Sequence, residues 1–94
     1  MVKYETIIVY SLAKGEEAAK EVAEKFKAMI EGAGTVESID EWGKRRLAYE
    51  IKKETEGFYS FITFDAEPTA PAEIESRLRI MENVLRYLII RKDA

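Results

Sequence analysis

Val2 to Tyr10 (VKYETIIVY) is dominated by β-branched and aromatic residues and predicts a strand. Ala13-Lys14-Gly15 breaks it, and Glu16-Glu17 then place negative charge where a helix N-terminus favours it. Ala19, Val22, Ala23, Phe26, Met29 and Ile30 recur at three- and four-residue spacing, which predicts an amphipathic helix over 16–31 that Gly32 and Gly34 stop. From Thr35 to Lys53 the chain reads as extended: Leu47, Tyr49 and Ile51 alternate with Ala48, Glu50 and Lys52. Glu54-Thr55-Glu56-Gly57 reads as a polar turn, and Phe58 to Ala66 (FYSFITFDA) as a third strand paired with the second in a hairpin. Pro68 and Pro71 end that strand, and Pro71 suits the first turn of a second helix with Ile74, Leu78 and Met81 as its stripe. Val84 to Arg91 (VLRYLIIR) is the last strand.

This order predicts an α+β, ferredoxin-like split βαβ (βαββαβ) domain over 1–94, with four antiparallel strands and two helices on one face. Two helices cover only one face of a sheet. Yet three strands carry apolar residues on both parities: Ile7 with Ile8, Phe61 with Ile62, Leu88 with Ile89. The uncovered face should therefore expose apolar area, which marks a partner site.

Composition narrows the chemistry. With 94 residues, 47% hydrophobic and 35% charged, the chain can bury roughly 60–70% of its unfolded surface around one core. It has no Cys and no His. That removes disulfides, thiolate metal sites and the commonest general base, so no metal and no cofactor are expected. No apolar run approaches the roughly 20 residues of a membrane span, and no signal peptide is expected. Acidic residues form no catalytic constellation, and Gly32-Ala33-Gly34 follows a helix instead of opening one.

The net charge is −3, yet cations are concentrated. Lys44-Arg45-Arg46 follows Trp42-Gly43, and Lys52-Lys53 closes the same extended segment. Arg77, Arg79, Arg86, Arg91 and Lys92 form a second group, diluted locally only by Glu82 and Asp93. Such grouping points to a polyanion or an acidic partner. Arg86 interrupts an apolar strand, which is costly unless it faces solvent or a partner. Trp42 is read as an anchor at a strand bend, with Gly43 permitting a bulge. Gly57 to Phe64 (GFYSFITF) approaches the RNP1 word of RNA-recognition motifs, but Glu56 replaces the basic first position and an inserted residue shifts the aromatic register. A one-residue slip moves side chains to the opposite face, so most of these aromatics are read as core or protein-interface residues.

Several strings taken together resemble the bacterial small-subunit ribosomal protein number six family. They are Lys3-Tyr4-Glu5, Trp42-Gly43-Lys44-Arg45-Arg46-Leu47-Ala48-Tyr49 with Ile51, Gly57-Phe58-Tyr59, Leu78-Arg79-Ile80 and Val84-Leu85-Arg86. The resemblance runs from Lys3 to about Lys92. It implies a ferredoxin-like, non-catalytic constituent of the small subunit, found in the cytoplasm on the ribosome. Such a protein binds the central domain of small-subunit (16S) rRNA as a heterodimer with ribosomal protein number eighteen. Many members carry a longer C-terminal extension than this chain. The expected rRNA-binding set is Lys3, Tyr4, Lys44, Arg45, Arg46, Lys52, Lys53, Arg79, Arg86, Arg91 and Lys92. The expected protein-partner set is Ile7, Val9, Leu88 and Ile90. Neither a membrane nor a small-molecule substrate is expected. The acidic total charge is unusual for a solitary rRNA binder, and a basic protein partner would resolve it.

Two rivals remain at this point. An acylphosphatase-like enzyme on the same architecture needs an Arg in the loop after the first strand and a water-orienting Asn. Here that loop is Ser11-Leu12-Ala13-Lys14-Gly15, and the only Asn is Asn83. A homodimeric ferredoxin-like binding module is the other.

Overall fold

A computed structural model describes residues 2–81 and 83–92. Glu82 and Asp93, expected to dilute the C-terminal cations, lie outside the described residues. The elements are β1 (Val2–Ser11), α1 (Glu16–Ala33), β2 (Gly34–Ile51), β3 (Glu54–Ala66), α2 (Ala70–Arg79) and β4 (Val84–Arg91). They form one four-stranded sheet in the order β2-β3-β1-β4, with every neighbouring pair antiparallel. This is the βαββαβ arrangement the polar and apolar pattern predicts.

Tyr4, Thr6, Ile8 and Tyr10 on β1 are buried, and so are Phe58, Ser60, Ile62, Phe64 and Ala66 on β3. Most of these pack in one core with Ala19, Val22, Ala23, Phe26 and Ile30 of α1 and Ile74 and Leu78 of α2. Alternation along a strand therefore assigns the opposite parity (Lys3, Glu5, Ile7, Val9 on β1; Tyr59, Phe61, Thr63, Asp65 on β3) to the face without helices.

Three boundaries differ from the sequence expectation. Helix α1 continues through Gly32 to Ala33, and only Gly34 ends it, its N–H donating to the Ile30 carbonyl. Met81 lies beyond α2, though it still packs against the core. The hairpin turn is not Glu54–Gly57, which belongs to β3, but Lys52-Lys53 between the paired Ile51 and Glu54. Both lysines have positive φ, 49° and 67°. A two-residue connection demands that twist, and Asn-Gly ordinarily supplies it. The only Gly nearby is Gly57, which drew the expected turn toward itself.

β2 contains the irregularity that shapes the site. From Arg46 to Ile51 it advances five positions while β3 advances two, from Glu56 to Glu54. The surplus chain curls over the helix-free face as an arm. A second bulge, between Glu41 and Gly43, places Trp42 there, and Gly43 has the positive φ of 76° that it requires.

Candidate partner and nucleic-acid surfaces

The helix-free face is apolar at its centre. Leu88 and Ile90 are 52% and 47% exposed, and Ile7, paired with Leu88, is half-buried beside them. Trp42, 42% exposed, stacks nearly parallel to Phe61 and Tyr59, with ring centroids 6.0 and 6.2 Å away. Its indole Nε1 donates to Asp40 Oδ2 at 2.9 Å, which fixes the ring's orientation, and the Arg45 guanidinium lies 5.8 Å from its centroid. Tyr59 and Phe61 are thus surface aromatics of this face, while Phe58 and Phe64 are core.

Val9 differs from the expectation for it. It lies on the helix-free face but is only 4% exposed. The missing side chain of Gly57 leaves the space that Val9 fills, and a Cβ there would collide with Val9 Cγ1 and touch Leu47 Cδ2 at 3.4 Å. Leu47, on the arm, thus closes over this spot. Farther along the arm, Tyr49 lies against Arg86 on the opposite edge strand. Arg86 Nη1 donates to the Tyr49 hydroxyl, and its guanidinium is 5.8 Å from the ring centroid. Arg86 is therefore solvent-facing, as its place in an apolar strand requires. Its partner among the described residues is an aromatic, Tyr49 of the arm.

The expected RNA-facing residues fall into separate places. Lys44, Arg45, Arg46, Lys52 and Lys53 are all exposed and lie on β2 and its turn, at the end of the sheet where Arg86 also sits. Lys44 and Lys53 line one shallow depression with Glu16, Glu54 and Glu56. At the other end of the strands, Lys3 pairs with Glu37 and Lys92 with Glu5, each at 2.8 Å. The hydrogen bond to Glu37 and its charge raise the Lys3 pKa above the usual lysine value. Arg91 is exposed at this end, opposite Tyr4. Arg79 closes α2 and is hydrogen-bonded to Tyr87, which, with Glu75, raises its pKa. Tyr4 does not reach the surface as expected. It is 4% exposed and packs on Phe64 with centroids 5.6 Å apart. Its parity on β1 puts it among the helix-side residues. Tyr49 and Asp40 were not anticipated. The Asp-x-Trp spacing, which puts two strand residues on one face, was the available signal for Asp40.

The loop after β1 is built against phosphate. Ser11 Oγ lies 2.9 and 2.8 Å from the two Glu54 carboxylate oxygens, and the Leu12 N–H donates to Glu54 Oε1 at 3.0 Å. A carboxylate thus takes the backbone donor that an acylphosphatase-like loop would turn to its substrate. Among the described residues no helix is long and apolar enough to cross a membrane.

Comparisons with known proteins agree on the family. The sequence model described as Ribosomal protein S6 matches residues 3–91. The chain is 49% identical over 94 residues to the small ribosomal subunit protein bS6 of Clostridium kluyveri, covering 99% of both chains. It is 48% identical over 93 residues to that of Clostridium beijerinckii, covering 98% of both. The crystal structure of 30S ribosomal protein S6 from Thermotoga maritima superposes with a TM-score of 0.90 at 29% identity, over 97% of this chain and 87% of that one. Fold, the strings along β1, β2 and β4, and these relatives lead to one conclusion: the chain belongs to the ribosomal protein S6 family, the structural, non-enzymatic S6 component of the small ribosomal subunit.

Proposed function

We propose that this chain joins the small subunit by binding the central domain of 16S rRNA together with ribosomal protein number eighteen, as a heterodimer on the cytoplasmic ribosome. The observation that carries this reading is the separation of two surfaces. Exposed cations (Lys44, Arg46, Lys52, Lys53) collect at one end of the sheet, while Leu88, Ile90, Ile7 and Trp42 form an exposed apolar centre on the helix-free face. Phosphates suit the first and a protein the second. Lys44, Arg46, Lys52 and Lys53 have no side-chain partner among the described residues, so RNA contact breaks no existing pair there. Lys3 and Lys92 would have to leave Glu37 and Glu5, and contribute less. Arg45 and Arg86, held against Trp42 and Tyr49, sit where the two surfaces meet.

The net charge of −3 makes the protein partner necessary, because phosphate neutralisation dominates affinity for nucleic acid. The test is gel-shift titration of rRNA with the isolated chain and with its complex with ribosomal protein number eighteen, at one salt concentration. Weak binding by the chain and tight binding by the complex is the expected result. Equal affinity would overturn the proposal.

A further inference from the structure

The row of residues that crosses the middle of the helix-free face is apolar except at one end. Leu88 is paired with Ile7, Ile7 with Phe61, and Phe61 with Asp40. Asp40 is exposed and makes no ion pair among the described residues. Its Oδ2 accepts the Trp42 indole N–H, and a neutral donor leaves the negative charge uncompensated. Arg45 lies against the indole ring, 5.8 Å from its centroid, not on the carboxylate. In open water such a carboxylate is well hydrated. Once an occupant covers the row, Asp40 loses that water, and an unpaired charge under a protein surface is strongly unfavourable. The occupant must therefore bring a cation to this spot. Arginine suits it best: its planar fork can pair with the carboxylate while its flat face stacks on the indole beside it. The same carboxylate repels phosphate, so the middle of the face favours a protein over RNA.

We infer that the protein seated on this face places an arginine against Asp40 and Trp42, with apolar side chains beside it over Ile7 and Leu88, and that Asp40 is the residue that selects this partner. The contact rests on the heterodimer reading above and names the chemistry at its centre. An apolar segment without a cation can cover Ile7 and Leu88 only by stranding Asp40. The residue that holds the right partner thus penalises the wrong ones. A basic occupant also fits a chain whose net charge is −3.

Calorimetric titration of the full chain with ribosomal protein number eighteen tests it. Asp40→Asn keeps an acceptor for the indole N–H and removes the charge. It should weaken the heterodimer about tenfold or more with the melting temperature unchanged, while Asp40→Glu, which keeps the charge, should retain most of the affinity. The weakening should persist in about 0.5 M salt, because a desolvated pair is screened little. Asp40→Arg should abolish binding. When each arginine of the partner is changed to Glu in turn, one of those variants should restore binding to Asp40→Arg. A wild type that does not bind the partner removes the heterodimer reading, and this contact with it. Equal affinity of wild type and Asp40→Asn overturns the contact alone. So does a loss that vanishes at high salt, and so does the failure of every partner variant to rescue Asp40→Arg. Tighter rRNA binding by isolated Asp40→Asn, with heterodimer affinity unchanged, would give the spot to RNA and overturn it as well.

Discussion

Tyr10 shows how a single hydroxyl loads the core. The residue is fully buried, and its Oη has no hydrogen-bond partner among the described residues. Burial, with Glu41 adding a smaller push, raises its pKa above the ordinary tyrosine value of about 10. The folded state holds this proton more tightly than the unfolded chain does. Its contribution is therefore complete below pH ~10 and falls as pH rises beyond that, because the unfolded tyrosine ionises and the folded one does not. Tyr10→Phe should remove the orphan oxygen, raise stability at pH 7 by about 1 kcal/mol, and flatten the decline above pH ~10. Urea unfolding of both proteins at pH 7 and pH 11 checks it, and a less stable variant at pH 7 would refute it. Arg86 is the opposite kind of residue, exposed and partnered. Arg86→Ala loses a hydrogen bond and a cation–π contact to Tyr49, which should cost about 0.5–1 kcal/mol in melting experiments. If Arg86 also meets a phosphate, the same change lowers the salt dependence of rRNA binding by about one counterion. An unchanged slope would confine Arg86 to the Tyr49 contact.

At the level of elements, the hairpin of β2 and β3 is where sequence and structure part. Regular stretches were legible because their pattern is local: β4 runs over the residues its apolar composition marks, and α1 starts at the acidic pair Glu16-Glu17. The turn was not legible, because Lys52-Lys53 lacks every residue that tolerates positive φ at low cost. The arm was not legible either. Leu47, Tyr49 and Ile51 alternate like any strand, and what sets the arm apart is contact between distant segments, Leu47 beside Val9 and Gly57 and Tyr49 against Arg86. A lysine in the left-handed region is strained by about 1–3 kcal/mol. Replacing the pair (Lys52→Asn with Lys53→Gly) should therefore stabilise the domain by about 1–2 kcal/mol, measured by thermal or urea unfolding. The same variant should bind rRNA less tightly, with a salt slope shallower by up to about two counterions. Gain in stability without loss of binding would show that the lysines do not touch RNA.

For the whole molecule, the division into a helix-covered and an uncovered face was readable from parity alone, but which apolar residues are available was not. Val9 and Leu88 share the uncovered face, and only Leu88 is open, because Leu47 and Gly57 decide the fate of Val9. Leu88→Asp should accordingly leave the melting temperature within a few degrees of wild type and abolish capture of ribosomal protein number eighteen in a pull-down. Val9→Asp should instead unfold the domain, since it buries a charge. Intact heterodimer formation by Leu88→Asp would remove this face from the partner site. The sheet order β2-β3-β1-β4 carries one more consequence, for the chain as it is made. β1 is made before the other five elements, yet one of its two sides is satisfied only by β4, the sixth of them along the chain. Until Val84 to Arg91 arrive, a nascent chain presents that unpaired side of a strand rich in isoleucine and valine to any extended segment nearby. Fragments ending before Val84 should aggregate during translation, and supplying the missing strand as a separate peptide should rescue them.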